Sequence, residues 1–236
     1  MAKRTIRKDG TYSVPETLED HLFYGLTLDA EQKAFRDAIW DPDADIIFCN
    51  SRAGTGKTLI SIATANLLVE YGRYDGIVVV VAPVQEAKTG YLPGTADEKI
   101  QEYLAPYYDA LETINLMPEK VIIGSDATVA KSGNPYIRMT SHIFMRGCNL
   151  RNKVIILDEF QNMYFDEAKK MLTRCHENCK VIVTGHDKQC DLYKHADRSG
   201  FIPYLNHFKD QERARICELK TNHRGWISAW ADELEI

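Results

Sequence analysis

The sequence predicts an α/β fold, a mostly parallel sheet covered by helices on both faces and built around a phosphate-binding loop. Three observations carry that reading. Short β-branched and apolar runs alternate along the chain with segments of helical spacing, the pattern of strands buried between helix layers. The stretch "NSRAGTGKTLIS" (50–61) sets Gly54-Thr55-Gly56-Lys57-Thr58 between one such run and a helical segment. Far downstream, another apolar run closes on the carboxylate pair Asp158-Glu159.

The elements follow in order. "ADIIFCN" (44–50) reads as the first buried strand, with the loop and then a helix from Lys57 to Val69 behind it. "GIVVVVAP" (76–83) is a second strand, bounded by Gly76 and Pro83. Helical spacing returns over 96–114, where Pro106 should force a break or kink. "KVIIG" (120–124) is a candidate short strand, inside a less regular insertion around 84–150. "KVIILDEF" (153–160) reads as a strand, 165–175 as a helix and "KVIVTG" (180–185) as a strand. A last strand is expected at 214–220 and a closing helix from Trp226 to Glu235. With no repeat, low-complexity tract or Gly/Ser linker, the chain reads as one domain, 27–236, after a basic N-terminal segment, 1–26.

Of 236 residues, 44% are hydrophobic and 27% charged, ordinary for a globular chain with a sizeable core. No apolar run approaches the ~18 residues that span a bilayer, so no membrane partner is expected. The opening MAKRTIRKDG lacks the apolar segment of a secretory signal. A cytoplasmic location, with the six cysteines as reduced thiols, is the corresponding expectation. A net charge of −5 argues against wholesale electrostatic binding of nucleic acid. Yet 127–157 holds no Asp or Glu and carries Lys131, Arg138, Arg146, Arg151 and Lys153. Such a face suits a phosphate-backbone partner, RNA or single-stranded DNA; the competing reading is a merely solvated face.

The pattern G-x-x-x-x-G-K-[ST] asks for glycine where this chain has Ser51. Serine is small and fits if its φ stays negative. The candidate cradle is Ala53, Gly54, Thr55, Gly56, Lys57 and Thr58. The glycines let backbone N–H groups turn toward the phosphates of ATP, and a helix N-terminus adds its dipole. Lys57 reaches the terminal phosphates and Thr58 can ligate Mg²⁺. Asp158, at a strand end, could hold the Mg²⁺ water shell, and Glu159 could orient or deprotonate the attacking water. "CHENC" (175–179), with His186, Cys190 and His195 nearby, is too loosely spaced for a four-ligand zinc set. Tyr103, Tyr107 and Tyr108 fall at helical spacing and suit packing better than base stacking. "TGYLPG" (89–94) is a turn-rich stretch that by position could meet a nucleic-acid strand or simply serve as a turn.

Residues 80–111, "MRGCNLRNKVIILDEFQNM" (145–163) and "TGHDKQCDLY" (184–193) together resemble the PhoH-like family of phosphate-starvation-associated ATPases, from about Leu28 to the C-terminus. The resemblance implies a RecA-like core similar to the first motor domain of superfamily 1 helicases. It makes Gln32, in "TLDAEQKAF" (27–35), the adenine reader and Gln189 the sensor of the γ-phosphate. His186 stands where the family usually has Asp, with Asp187 one place later. Arg224, in "LKTNHRGW" (219–226), becomes the residue that stabilises transition-state charge, in its own site or a neighbour's. A homo-oligomer, with the hexameric ring known among relatives, is also implied. Too few residues precede the glutamine motif for the nuclease domain some relatives carry, so no intrinsic ribonuclease is expected, and action on nucleic acid would need an assembly. The function implied is a Mg²⁺-dependent ATPase that binds, remodels or unwinds RNA or single-stranded DNA. The alternatives are an ATP-controlled assembly switch with slow hydrolysis and a small-molecule kinase, against which the water-activating Glu159 argues mildly.

Overall fold

All but one of the β-branched runs become strands, and the strands all run parallel. The computed structural model describes residues 13–82, 96–123, 135–145, 148–192 and 196–232. In chain order these form α1 (Ala30–Trp40), β1 (Ile46–Ser51), α2 (Lys57–Glu70), β2 (Ile77–Val81), α3 (Ala96–Thr113) and α4 (Pro118–Val121). There follow β3 (Ile137–Ser141), β4 (Val154–Asp158), α5 (Phe165–Leu172), β5 (Lys180–Gly185), α6 (Phe201–Phe208), β6 (Ala214–Leu219) and α7 (Trp226–Asp232). The six strands lie in the order β3-β2-β4-β5-β1-β6.

The period of two along each strand sorts side chains onto two cores. Ile77, Val79 and Val81 join a cluster with Phe35 and Ile39 of α1, Ile60 and Leu67 of α2 and Leu104 and Leu111 of α3. Val78 and Val80, one residue out of phase, join Ala168 and Met171 of α5 and Phe201 of α6 on the opposite face. Because every strand points the same way, the C-terminal ends of β1, β4 and β5 share one edge. That edge is where doubly covered sheets place their ligands.

Four expectations change. Pro106 does not break α3, which runs as one helix from Ala96 to Thr113. Leu104, Tyr107 and Leu111 form its buried stripe and hold it against the sheet. The segment 120–124 is not a strand. Pro118 starts the single turn α4, and Ile122 makes only an isolated bridge to Ile137. The less regular insertion contains a strand, β3, paired with β2 along its length. An unforeseen helix, α6, carries Pro203 in its first turn, where a missing N–H costs little.

Residues before 27 share the core: Leu18 and Phe23 are buried, and the Trp40 indole donates to the Pro15 carbonyl at 3.1 Å. The basic residues 3–8, Lys131, Arg146, His195 and the stretch 89–94 lie outside the described residues. Among the described residues, no helix is long and apolar enough to cross a membrane.

Candidate active site

The loop leaves β1 at Ser51, which is buried, and its hydroxyl donates to the Gly185 carbonyl of β5 at 3.5 Å. Its φ is not positive, so serine fits where the pattern asks for glycine. Gly54 and Gly56 do sit in the left-handed region, at φ 74° and 84°. A Cβ at Gly54 would also lie 2.8 Å from Asn222 Oδ1, and one at Gly56 3.0 Å from Gln32 Nε2. The chain then enters α2 at Lys57, and no side chain caps that terminus. Its orphan N–H groups and the helix dipole fit a phosphate.

Lys57 and Glu159 meet directly, Nζ to Oε1 at 3.0 Å. Glu159 turns out of β4 with φ 51° and ψ 41°, which sends its side chain away from that of Asp158. Its Oε2 accepts from Gln161 Nε2 at 2.6 Å, and Gln161 Oε1 accepts from the backbone N–H of His186 at 3.1 Å. Asp158 is buried. Its Oδ1 accepts from Thr184 Oγ1 at 2.5 Å and from the Glu159 N–H at 3.0 Å, and its Oδ2 accepts from the Tyr107 hydroxyl at 2.9 Å. Burial raises the pKa of Asp158 against the opposing pull of Lys57. Burial also acts to raise that of Glu159, but the Lys57 ammonium prevails and lowers it. Burial disfavours the charge on Lys57; the two carboxylates outweigh it and raise its pKa. With three of its roughly four acceptor positions filled by protein, Asp158 suits a metal held through water.

Gln32, buried under the loop, accepts from the Asp29 N–H at 3.2 Å and donates to the Thr55 carbonyl at 2.9 Å. In this conformation it braces the loop. Residues 220–224 are laced over the same loop. Glu31 accepts from the Lys220 and Thr221 N–H groups at 2.7 and 3.2 Å, and the His223 N–H donates to the Gly54 carbonyl at 2.8 Å. His223 Nε2 sits 2.9 Å from Asp29 Oδ2. The Arg224 methylenes lie 3.1 Å from where a Gly54 Cβ would stand, so this arginine rests on its own chain's loop.

A family model described as PhoH-like protein matches residues 27–225. The chain belongs to the PhoH-like family. A PhoH-like protein of Mycobacterium leprae (strain TN) is 38% identical over 207 residues, covering 85% of this chain and 56% of the relative. Protein PhoH of Escherichia coli (strain K12) is 35% identical, covering 72% of this chain and 47% of the relative. The chain thus spans about half the length of the curated relatives it matches. Among solved structures, the large terminase of a thermophilic bacteriophage aligns with a TM-score of 0.53 at 13% identity, over 83% of this chain and 46% of that one. The Sulfolobus solfataricus SWI2/SNF2 ATPase core domain aligns with a TM-score of 0.50 at 14% identity, over 98% of this chain and 50% of that one. These likenesses show the fold alone, a RecA-like parallel sheet covered by helices.

Set on that PhoH-like frame, the expected site residues divide. Ala53 to Thr58, Asp158 and Glu159 gather at one edge, with Gln32 beneath them and Arg224 above. Gln189 is not brought to the Lys57–Glu159 pair; it lies exposed on the turn after β5, its N–H facing the His186 carbonyl at 3.4 Å. His186 is buried, while Asp187 is exposed and donates its N–H to Asn50 Oδ1 at 3.2 Å. Beside them a cleft of about 190 Å³, lined in part by Ser51, Arg52, His186 and Lys220, opens at the loop's entry. Of the described basic residues, Arg151 and Lys153 precede β4 and Arg138 is the second residue of β3. They therefore lie toward the sheet edge opposite the loop. Sequence reasoning assigned no role to Gln161, Thr184 or the Tyr107 hydroxyl. Gln161 stands two places beyond Glu159; the other two reach Asp158 from distant elements, with no local signal.

Proposed function

We propose that this chain is a Mg²⁺-dependent ATPase whose hydrolysis is coupled to binding and remodelling of RNA or single-stranded DNA by a homo-oligomer. The observation that carries the ATPase reading is the convergence of Lys57 and Glu159 at 3.0 Å, at the mouth of an uncapped helix entered through two left-handed glycines. Nucleotide phosphates draw Lys57 off Glu159, and the freed carboxylate, steadied by Gln161, orients and deprotonates water. Thr58 and Asp158 would hold Mg²⁺, which neutralises charge on the phosphates. Arg224 adds positive charge from above the loop. The nucleic-acid part is supported by the acid-free stretch 127–157.

The test is phosphate release from ATP by the purified protein, with and without single-stranded RNA or DNA. Glu159→Gln should bind ATP and hydrolyse it at least ~10²-fold more slowly, the usual cost of losing a general base. Lys57→Ala should lose binding in calorimetry. Normal turnover by the first variant, or tight binding by the second, would overturn these assignments. Activity indifferent to both polymers would instead favour the nucleotide-controlled switch.

A further inference from the structure

We infer that Tyr107 is a positioning residue for the metal-side carboxylate: its hydroxyl, reaching in from α3, fixes the orientation of Asp158. The inference rests on the reading of Asp158 as the residue that holds the Mg²⁺ water shell. Tyr107 is fully buried within the apolar cluster shared by α1, α2 and α3. For filling that space phenylalanine would serve as well, and a buried hydroxyl is costly unless it is bonded. The hydroxyl bonds to Asp158 Oδ2 at 2.9 Å, from a residue 51 positions away in sequence. The other oxygen is held by Thr184 Oγ1, from the strand next to β4. One hydroxyl on each oxygen, supplied by two different elements, stops the carboxylate from rotating about its Cβ–Cγ bond. Its remaining acceptor position is thereby aimed in one direction, which is what a metal-bound water requires. Outer partners of metal-holding groups act in this way, setting orientation without touching the metal.

The experiment is calorimetric titration of ADP at stepped Mg²⁺ concentrations, with Mg²⁺-dependent ATP turnover measured alongside. Tyr107→Phe keeps the ring and removes the bond. It should raise the half-saturating Mg²⁺ concentration about 10-fold, the low end of what losing such a partner costs. Affinity for ADP in EDTA should stay unchanged, and excess Mg²⁺ should restore turnover. Thr184→Val, which removes the hydroxyl from the other oxygen, should move the same midpoint in the same direction. It carries the test if Tyr107→Phe does not fold. An unchanged midpoint in a folded Tyr107→Phe, or an equal loss of ADP affinity in EDTA, would overturn the positioning role. Asp158→Asn separates the two levels of the argument. If it leaves the midpoint of the unaltered protein in place, the metal reading of Asp158 fails and the inference with it; if it shifts the midpoint while Tyr107→Phe does not, only the inference fails.

Discussion

Two lysines, the half-buried Lys57 and the buried Lys180, lie at opposite ends of the sheet, and their surroundings treat them differently. Lys57 has two carboxylates within reach, and its charge is favoured. Lys180, at the start of β5, is fully buried and donates to the Asp41 carbonyl at 2.5 Å. Burial, with the Arg73 charge adding to it, lowers its pKa from 10.5 to about 8. The unfolded chain keeps this proton up to about pH 10.5, whereas the folded chain releases it near pH 8. Below pH 8 the full penalty applies; between the two values stability rises with pH, by on the order of 3 kcal/mol. Denaturant midpoints should show the unaltered protein gaining on Lys180→Met as pH goes from 7 to 10. Parallel curves for the two would overturn this account of Lys180. The residues legible in the sequence were those whose chemistry is local, namely Gly54, Gly56, Lys57, Asp158 and Glu159. Even the departure at Ser51 was readable, since only a negative φ was needed.

At the scale of elements, legibility followed the density of β-branched residues. β1, β2, β4 and β5 are nearly all buried because helices cover both their faces. β3, with the sequence IRMTS, is an edge strand whose identity comes from its partner β2, which no local pattern records. KVIIG misled in the opposite sense, an apolar run without a continuous partner. α3 shows tertiary packing overriding a local breaker. Pro106 is exposed in the interior of that helix and contributes no buried contact, so only its backbone cost remains. Pro106→Ala should therefore stabilise the protein, by up to the ~3 kcal/mol that separates these residues in a helix interior. Thermal unfolding measures it, and an unchanged or lowered melting temperature would mean that the proline is accommodated without strain.

For the molecule as a whole, the sheet order sets which chemistry a single chain completes. Residues 220–224 follow β6, which lies beside β1, so Arg224 arrives over the loop of its own subunit. Mixing Arg224→Ala with Glu159→Gln should accordingly give no recovery of ATP turnover. Recovery toward a quarter or more of normal activity would show that the arginine serves a neighbour. The same edge holds a consequence of the Lys57–Glu159 pair. That carboxylate occupies the ammonium that, on the proposed reading, the terminal phosphates would claim, which would make it a tethered competitor of the nucleotide. On the proposed reading, a bound nucleotide would first displace it, and the base would be armed only where a phosphate has taken its place. The apparent affinity for ATP would thus carry a built-in handicap, and the idle site would keep its own reactivity quenched.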